Sequence, residues 1–169
     1  NVENPKGDGT LTFHFDRKQA TVMIEGVPSN AVVSLLRGFS APVKVSFRRS
    51  DTDALHLASK DTDGFVRWNA AQSILESSIA TEKSGTPLAK ALLENLSESA
   101  MAAPDDGEAK ALLACAMSPP STIYVLDQNL GRDVIGLDQS RDRLRAQMGT
   151  ALQDRWDTIV NQNRDQNPY

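Results

Sequence analysis

Cysteine, histidine and aromatic residues are scarce in this sequence of 169 residues. It contains one cysteine, two histidines and an aromatic content of 5%. One cysteine cannot form a disulfide within the chain, and this favours a reducing, intracellular compartment such as the cytoplasm. The longest unbroken apolar run covers residues 111–117, far below the roughly 20 residues of a membrane-spanning helix. We therefore expect neither a transmembrane segment nor a secretory signal.

The sequence also lacks an excess of positive charge. Its formal net charge is -4 and its isoelectric point is near 5.2, which argues against nucleic-acid binding because phosphates require a clustered basic surface. With 40% apolar residues, the chain can form the core of one compact domain or of two small ones. It begins with Asn1 rather than methionine, so we expect a processed chain or a piece of a longer protein.

Composition changes sharply near residue 50. Residues 1–50 hold seven of the eleven valines and four of the five phenylalanines, whereas residues 51–169 hold sixteen of the nineteen alanines. Valine and phenylalanine favour strands and alanine favours helices. The sequence therefore predicts a mixed fold, with a small all-β segment over residues 1–49 and an all-α, arch-like array of antiparallel helical hairpins over residues 50–169.

Alternating apolar and polar residues predict the strands of the first part. Residues 11–15 and 22–24 alternate on either side of a polar turn and are typical of a hairpin. Residues 43–47 alternate in the same way and predict a further half-buried strand. Three or four strands make a thin sheet with an open edge. We therefore expect this segment to be part of a larger sandwich.

Capping residues and apolar spacing predict six helices in the second part. Ser50 precedes the first helix as an N-cap, and Asp61 or Asp63 begins the second. Pro87, after the N-cap Thr86, begins the third. A fourth helix ends before the two prolines at 119–120, a short fifth follows, and the longest runs from about residue 137 to residue 160. The second helix carries an apolar face made of Phe65, Trp68, Gln72, Leu75 and Ile79.

The sequence offers no pattern for a catalytic metal. A zinc hydrolase helix has two histidines four residues apart with a glutamate between them, whereas His14 and His56 each stand alone. We interpret both histidines as surface or packing residues.

The Asp-Thr-Asp repeats are compatible with a calcium loop only in part. Asp61, Asp63 and Gly64 fit its third, fifth and sixth positions, but Ser59 stands at the first and Ala70 where a bidentate glutamate is required. Helix capping explains the same aspartates without requiring the missing calcium ligands. We therefore prefer the capping interpretation.

The sequence also contains no convincing motif for a nucleophilic residue or for a phosphate-binding loop. Cys115 lies within an apolar run without a nearby histidine or lysine to lower its pKa, so we expect a buried, inert thiol. Gly7 and Gly9 follow no strand and lack the lysine and hydroxyl of a phosphate-binding loop. The sequence therefore predicts no catalytic, cofactor-binding or metal-binding residue in this chain.

Two segments carry a resemblance to a known family. Residues 34–45, SLLRGFSAPVKV, and residues 61–72, DTDGFVRWNAAQ, resemble bacterial-type aminopeptidase N of the M1 (gluzincin) metallopeptidase family. In that family the first segment closes the third, β-sandwich domain, and the second, Asp-Ser-Asp-x-Phe-x-Arg-Trp-Glu-Ala-x-Gln, opens the C-terminal helical domain. Asn69 replaces the glutamate of the pattern. The resemblance extends from about residue 10 to residue 165 and is weakest over residues 80–110.

The resemblance implies a parent enzyme that removes N-terminal amino acids from peptides with one catalytic zinc. The family's zinc-binding and exopeptidase motifs belong to the two upstream domains, and neither motif occurs here, so no catalytic residue carries over to this chain. It implies as partners the upstream catalytic domain, the rest of the helical domain and the peptide substrates. The alternative from another class is a free-standing helical adaptor with a β cap, which would bind a partner on the concave side of its hairpins.

Overall fold

A computed structural model describes residues 2–3, 10–43, 45–81, 87–102, 107–162 and 164. The chain divides into two compact units, Asn1–Val33 and Ser34–Tyr169. None of the helices in these described ranges is long and apolar enough to cross a membrane.

The first unit contains one short antiparallel strand pair among its described residues. Strand β1 covers Val2–Glu3 and strand β2 covers Thr12–Phe13, with Val2 opposite Phe13. The predicted hairpin between residues 11–15 and 22–24 does not form, because residues 22–24 have no strand partner and their apolar side chains are exposed. A strand ladder needs partners and a covered face to be stable. The predicted β-sandwich segment is therefore not confirmed.

The second unit begins with a tight turn rather than a strand. A 3₁₀ turn covers Arg37–Phe39, and the described residues of the expected strand at 43–47 carry no strand pairing. Leu36, Gly38 and Phe39 all have left-handed backbone angles, with φ of 56°, 64° and 51°. Such angles interrupt an extended strand and fold the chain back on itself.

Seven helices follow in the described part of the second unit, one more than predicted. Ser50 and Asp63 accept hydrogen bonds from the backbone of Asp53 and Val66, so these two predicted N-caps are confirmed. Pro87 is the first residue of the third helix as predicted, and its expected cap Thr86 lies outside the described residues. The helices are α1 Asp51–Lys60, α2 Gly64–Ala80, α3 Pro87–Ala102, α4 Gly107–Met117, α5 Thr122–Gln128, α6 Val134–Ala151 and α7 Gln153–Gln162.

Helix α2 is the centre of this unit and packs against α1, α3, α4, α5 and α6. Leu75 and Ile79 are fully buried and Gln72 is nearly so, as the predicted face requires. The face is less buried at its N-terminal end, where Phe65 is half-buried and Trp68 is 37% exposed. Further buried residues surround the rest of the helix, as expected for a helix enclosed by neighbours.

The predicted last helix is interrupted at Leu152. Its φ of -120° and ψ of 17° separate α6 from α7. The hydroxyl of Thr150 donates to the carbonyl of Ala146 at 3.1 Å, a bond that competes with helical geometry and is associated with bends. After the break, Arg155 donates to the carbonyl of Glu94 and to the hydroxyl of Ser97 on α3. The interruption thus turns α7 onto α3.

Candidate functional site

The two histidines and the cysteine of this sequence are all exposed. His14 is exposed in the first unit and His56 is exposed on α1. Cys115 is exposed on α4, so the expectation of a buried thiol is wrong. Leu113, Ala116 and Met117 provide the buried side of that helix, and Cys115 lies outside this face.

The described residues do not fit a zinc site. Nowhere in the ranges that the structure describes do three histidine, cysteine, aspartate or glutamate residues come together as metal ligands. We derive no metal-dependent step from these residues, and the absence of site residues from the whole chain stays a prediction.

The Asp-Thr-Asp turn between α1 and α2 binds the preceding chain segment instead. Arg37 donates to the carboxylate of Asp61 at 2.6 Å and to the hydroxyl of Thr62 at 2.7 Å. The backbone N–H of Gly38 donates to the carboxylate of Asp63 at 2.7 Å. The Asp61 side chain is only 4% exposed and that of Arg37 is 23% exposed. We call these five residues the Arg37 clasp.

Each aspartate in the clasp accepts two hydrogen bonds. Asp61 also accepts from the backbone N–H of Asp63 at 2.7 Å, and Asp63 caps α2 through the N–H of Val66 at 2.9 Å. Carboxylates at a helix N-terminus satisfy its free N–H groups and favour its dipole. The capping interpretation is therefore confirmed, and the same groups hold residues 37–38.

Aromatic contacts extend the clasp toward α2. The rings of Phe39 and Phe65 meet edge to face at 5.0 Å between centroids, and Phe65 lies 5.9 Å from Trp68. Next to this row, Arg67 donates from Nε to the carbonyl of Ala58 at 3.0 Å. Burial lowers the pKa of the Arg67 guanidinium from its ordinary value, and the Coulombic field of Asp61 opposes that shift.

A polar cleft of about 280 Å³ lies between α2 and the start of α5. Trp68 lies at one end of the α2 wall and Glu76 at the other, eight residues further along the helix. Eight residues span about 12 Å of helix axis, so the cleft is elongated. Its lining is Trp68, Asn69, Gln72, Ser73, Glu76, Pro120, Ser121 and Tyr124.

Two long-range hydrogen bonds fix the wall opposite α2. The amide of Gln72 donates to the carbonyl of Ser118 at 2.9 Å, and Arg141 donates from Nε to the carbonyl of Pro120 at 2.8 Å. The second nitrogen group of Arg141 pairs with Asp142 at 3.6 Å. These bonds come from α2 and α6, so the turn at 118–121 is held from both sides.

The charges of two carboxylates act on the Tyr124 hydroxyl at the cleft. Burial raises the pKa of the Tyr124 hydroxyl above its ordinary value, and the charges of Glu76 and Asp127 raise it further. Tyr124 is therefore a neutral phenol at physiological pH. Glu76 is the one carboxylate among the described residues that line the cleft.

An apolar groove of about 470 Å³ runs between α3 and α6. Its walls include Leu93, Leu144, Met148 and Leu152, and Lys90 and Gln147 lie among the polar members of its lining. The groove has the size range of ligand sites, but apolar area alone does not define a ligand.

Stacked, mutually packed helices define the second unit as a helical-repeat domain. Residues 51–169 match the family described as "Domain of unknown function (DUF3458_C) ARM repeats", and the chain belongs to this family. Among curated proteins it is similar to aminopeptidase N of Caulobacter vibrioides, with 33% identity over 150 residues that cover 82% of this chain and 16% of that protein. It is also similar to aminopeptidase N of Escherichia coli, with 29% identity over 86% of this chain and 17% of that protein.

The fold is shared with a solved aminopeptidase structure. The crystal structure of Legionella pneumophila aminopeptidase A in complex with aspartic acid has a TM-score of 0.63 and 23% identity, over 80% of this chain and 16% of that one. The resemblance to the M1 aminopeptidase family is therefore confirmed, and the chain spans about one sixth of the length of these relatives.

Sequence reasoning did not find the Arg37 clasp or the cleft as sites. All five residues of the clasp lie within the two segments that carry the family resemblance. That shared location is the feature of the sequence from which a contact between the two segments could have been predicted. The bond between Gln72 and Ser118 joins residues 46 positions apart, and helical periodicity contains no information on such pairings.

Proposed function

We propose that this chain is a non-catalytic portion of a zinc-dependent metallo-aminopeptidase that removes N-terminal residues from peptides. In this proposal residues 1–49 are the end of the β-sandwich linker domain, and residues 50–169 are the first part of the helical domain. The observation that supports it most is the family match over residues 51–169, which agrees with two curated relatives that are both aminopeptidase N.

The proposed role is to link the catalytic part to the helical part and to cover the active-site chamber. A cover of this kind limits access to short, unfolded peptides and excludes water. Its partners are the upstream catalytic domain, the remaining helical domain and the peptide substrates. The Arg37 clasp supports the linking role because it ties the incoming chain to the first two helices through buried charge.

The isolated chain gives the first test. We expect it to bind no stoichiometric zinc in metal analysis and to hydrolyse no aminoacyl-amide substrate, because the described residues offer no ligand group for the metal. Chelator-sensitive hydrolysis by this chain alone would overturn the proposal.

The covering role needs a test in the longer enzyme that contains this chain. Arg37→Gln loosens the clasp, and Arg17→Gln is its matched control because the Arg17 side chain is 80% exposed. We expect Arg37→Gln to change the ratio of kcat/KM for a long peptide to that for an aminoacyl amide, and Arg17→Gln to leave it unchanged. Equal ratios for both variants would contradict the covering role.

The second candidate function is a helical adaptor. It is favoured by the ARM-repeat description of the matching family, since such repeats form extended binding surfaces. The upstream gene sequence discriminates between the two candidates. A His-Glu-x-x-His motif in the same reading frame supports the peptidase, and a reading frame without it supports the adaptor.

A further inference from the structure

We propose that helix α7 is a two-state element of the fold. In the docked form Arg155 holds α7 against α3, and in the released form α6 and α7 join into one continuous helix over residues 134–162. Leu152 is the hinge, because its φ of -120° and ψ of 17° separate the two helices. The inference concerns residues of this chain alone and does not depend on the proposed role in a peptidase.

The sequence around the hinge favours a continuous helix. Ala151, Leu152 and Gln153 are good helix formers. Residues 134–162 contain no proline, which is one of the usual causes of a sharp kink. One apolar stripe crosses the hinge at spacings of three and four residues and consists of Leu144, Met148, Leu152, Trp156 and Ile159. The break at Leu152 is therefore not required by the residues that surround it.

Contacts with α3 stabilise the interrupted form instead. Arg155 donates from Nη1 to the carbonyl of Glu94 at 3.0 Å and to the hydroxyl of Ser97 at 2.7 Å. It also donates from Nη2 to the carboxylate of Glu98 at 3.3 Å. Ser97 is fully buried, so the guanidinium reaches into the surface of α3. Hydrogen bonds from a charged donor are stronger than neutral ones, and Arg155 is therefore the main polar attachment of the docked form.

Helix α7 buries little apolar area of its own. None of the residues 153–162 is buried, and Trp156 and Ile159 are only half-buried. The Arg155 side chain is 33% exposed and that of Glu98 is 63% exposed, so solvent weakens their pairing. Elements with few buried apolar side chains open more easily than the core. Local helix preference and the Arg155 contacts thus oppose each other, which is the condition for a bistable element.

Spin labels on α6 and α7 measure the two forms in the full chain. Arg143→Cys and Asn161→Cys place the labels at exposed positions, and Cys115→Ser removes the native thiol. In one continuous helix these positions lie on the same face, about 27 Å apart along the axis, and a bend at Leu152 shortens this distance. We expect mainly the shorter distance in the chain with Arg155. Arg155→Gln should raise the fraction of the longer distance by about fivefold.

Matched variants and helix content separate release from damage. Arg145→Gln removes an equal charge from an exposed position on α6 and should leave the distances unchanged. Ser97→Ala removes one acceptor on α3 and should give a smaller shift in the same direction. This second variant decides the matter where circular dichroism shows that Arg155→Gln has unfolded the chain. An unchanged distance distribution, or a broadened one with a loss of helical circular dichroism, overturns the proposal, because the second result indicates fraying of α7 rather than a continuous helix.

Discussion

Two regions of this chain differ in whether they bury apolar residues, because the buried apolar side chains of the described residues lie between residues 51 and 152. Between residues 51 and 152, leucines such as Leu75, Leu92 and Leu96 are completely buried among the helices. Between residues 10 and 49, Phe15 is 67% exposed and Met23 is 82% exposed. Both regions have clear apolar periodicity in the sequence, so periodicity alone does not determine burial.

The difference follows from how each type of element satisfies its backbone. A helix bonds its own N–H and C=O groups, and its apolar stripe needs only one neighbouring helix. A strand needs partner strands for its backbone and a second layer for its face. Residues 12–13 find a partner of two residues, at positions 2–3. Alternation therefore indicates an apolar face without indicating the layer that covers it.

The largest expected effect compares a core leucine with an exposed methionine. Leu96→Ala removes a fully buried side chain from α3, and deletions of this kind reduce the free energy of unfolding by about 2–5 kcal/mol. Met23→Ala deletes a side chain of similar size from the exposed region and should cost less than about 0.5 kcal/mol. Urea denaturation followed by helical circular dichroism measures both changes. A loss above about 1 kcal/mol for Met23→Ala would break the comparison, because it requires burial of that side chain.

Local signals account for the part of the fold that the sequence could predict. Ser50, Asp63 and Pro87 begin helices at the predicted positions, because caps and N-terminal prolines act within one turn of the chain. The buried part of the α2 face, at Leu75 and Ile79, follows from spacings of three and four residues. Both kinds of signal are complete within one element.

The remaining features depend on contacts between elements. The interruption at Leu152 accompanies the contact of Arg155 with Glu94 and Ser97, about 60 residues earlier. Cys115 is exposed because the neighbours of α4 cover another face. The polar cleft likewise requires that the turn at 118–121 lies against α2. Such pairings are decided by the packing of the whole unit, which no single window of sequence contains.

A smaller loss of stability is expected when the Arg37 clasp, which holds residues 37–38 against the turn between α1 and α2, is broken. Asp61→Asn breaks the ion pair of the Arg37 clasp and leaves the guanidinium without its carboxylate. Because these side chains are 4% and 23% exposed, we expect a loss of about 1–3 kcal/mol in the free energy of unfolding, between the values for exposed and buried pairs.

The matched control for the clasp is an ion pair in the same unit whose carboxylate is exposed, while its arginine is 20% exposed and so resembles Arg37. Asp142 is 67% exposed and lies 3.6 Å from Arg141, so Asp142→Asn should cost less than about 0.5 kcal/mol. Raising the salt concentration should reduce the smaller effect more than the larger one, because buried pairs are less screened. Equal losses for the two variants would mean that residues 34–38 are not held by the clasp.

The smallest expected effect comes from making the exposed region polar. Phe15→Ser changes a ring that is 67% exposed, so the free energy of unfolding should change by less than about 0.5 kcal/mol. Exposed apolar area promotes association and dye binding, and the variant should therefore bind less hydrophobic dye and self-associate less in sedimentation. Thr52→Ser, at an exposed position on α1, is a control that should leave dye binding unchanged. A stability loss above about 1 kcal/mol for Phe15→Ser, with unchanged dye binding, would show that this ring is covered in solution and that the two regions differ less than their exposed areas indicate.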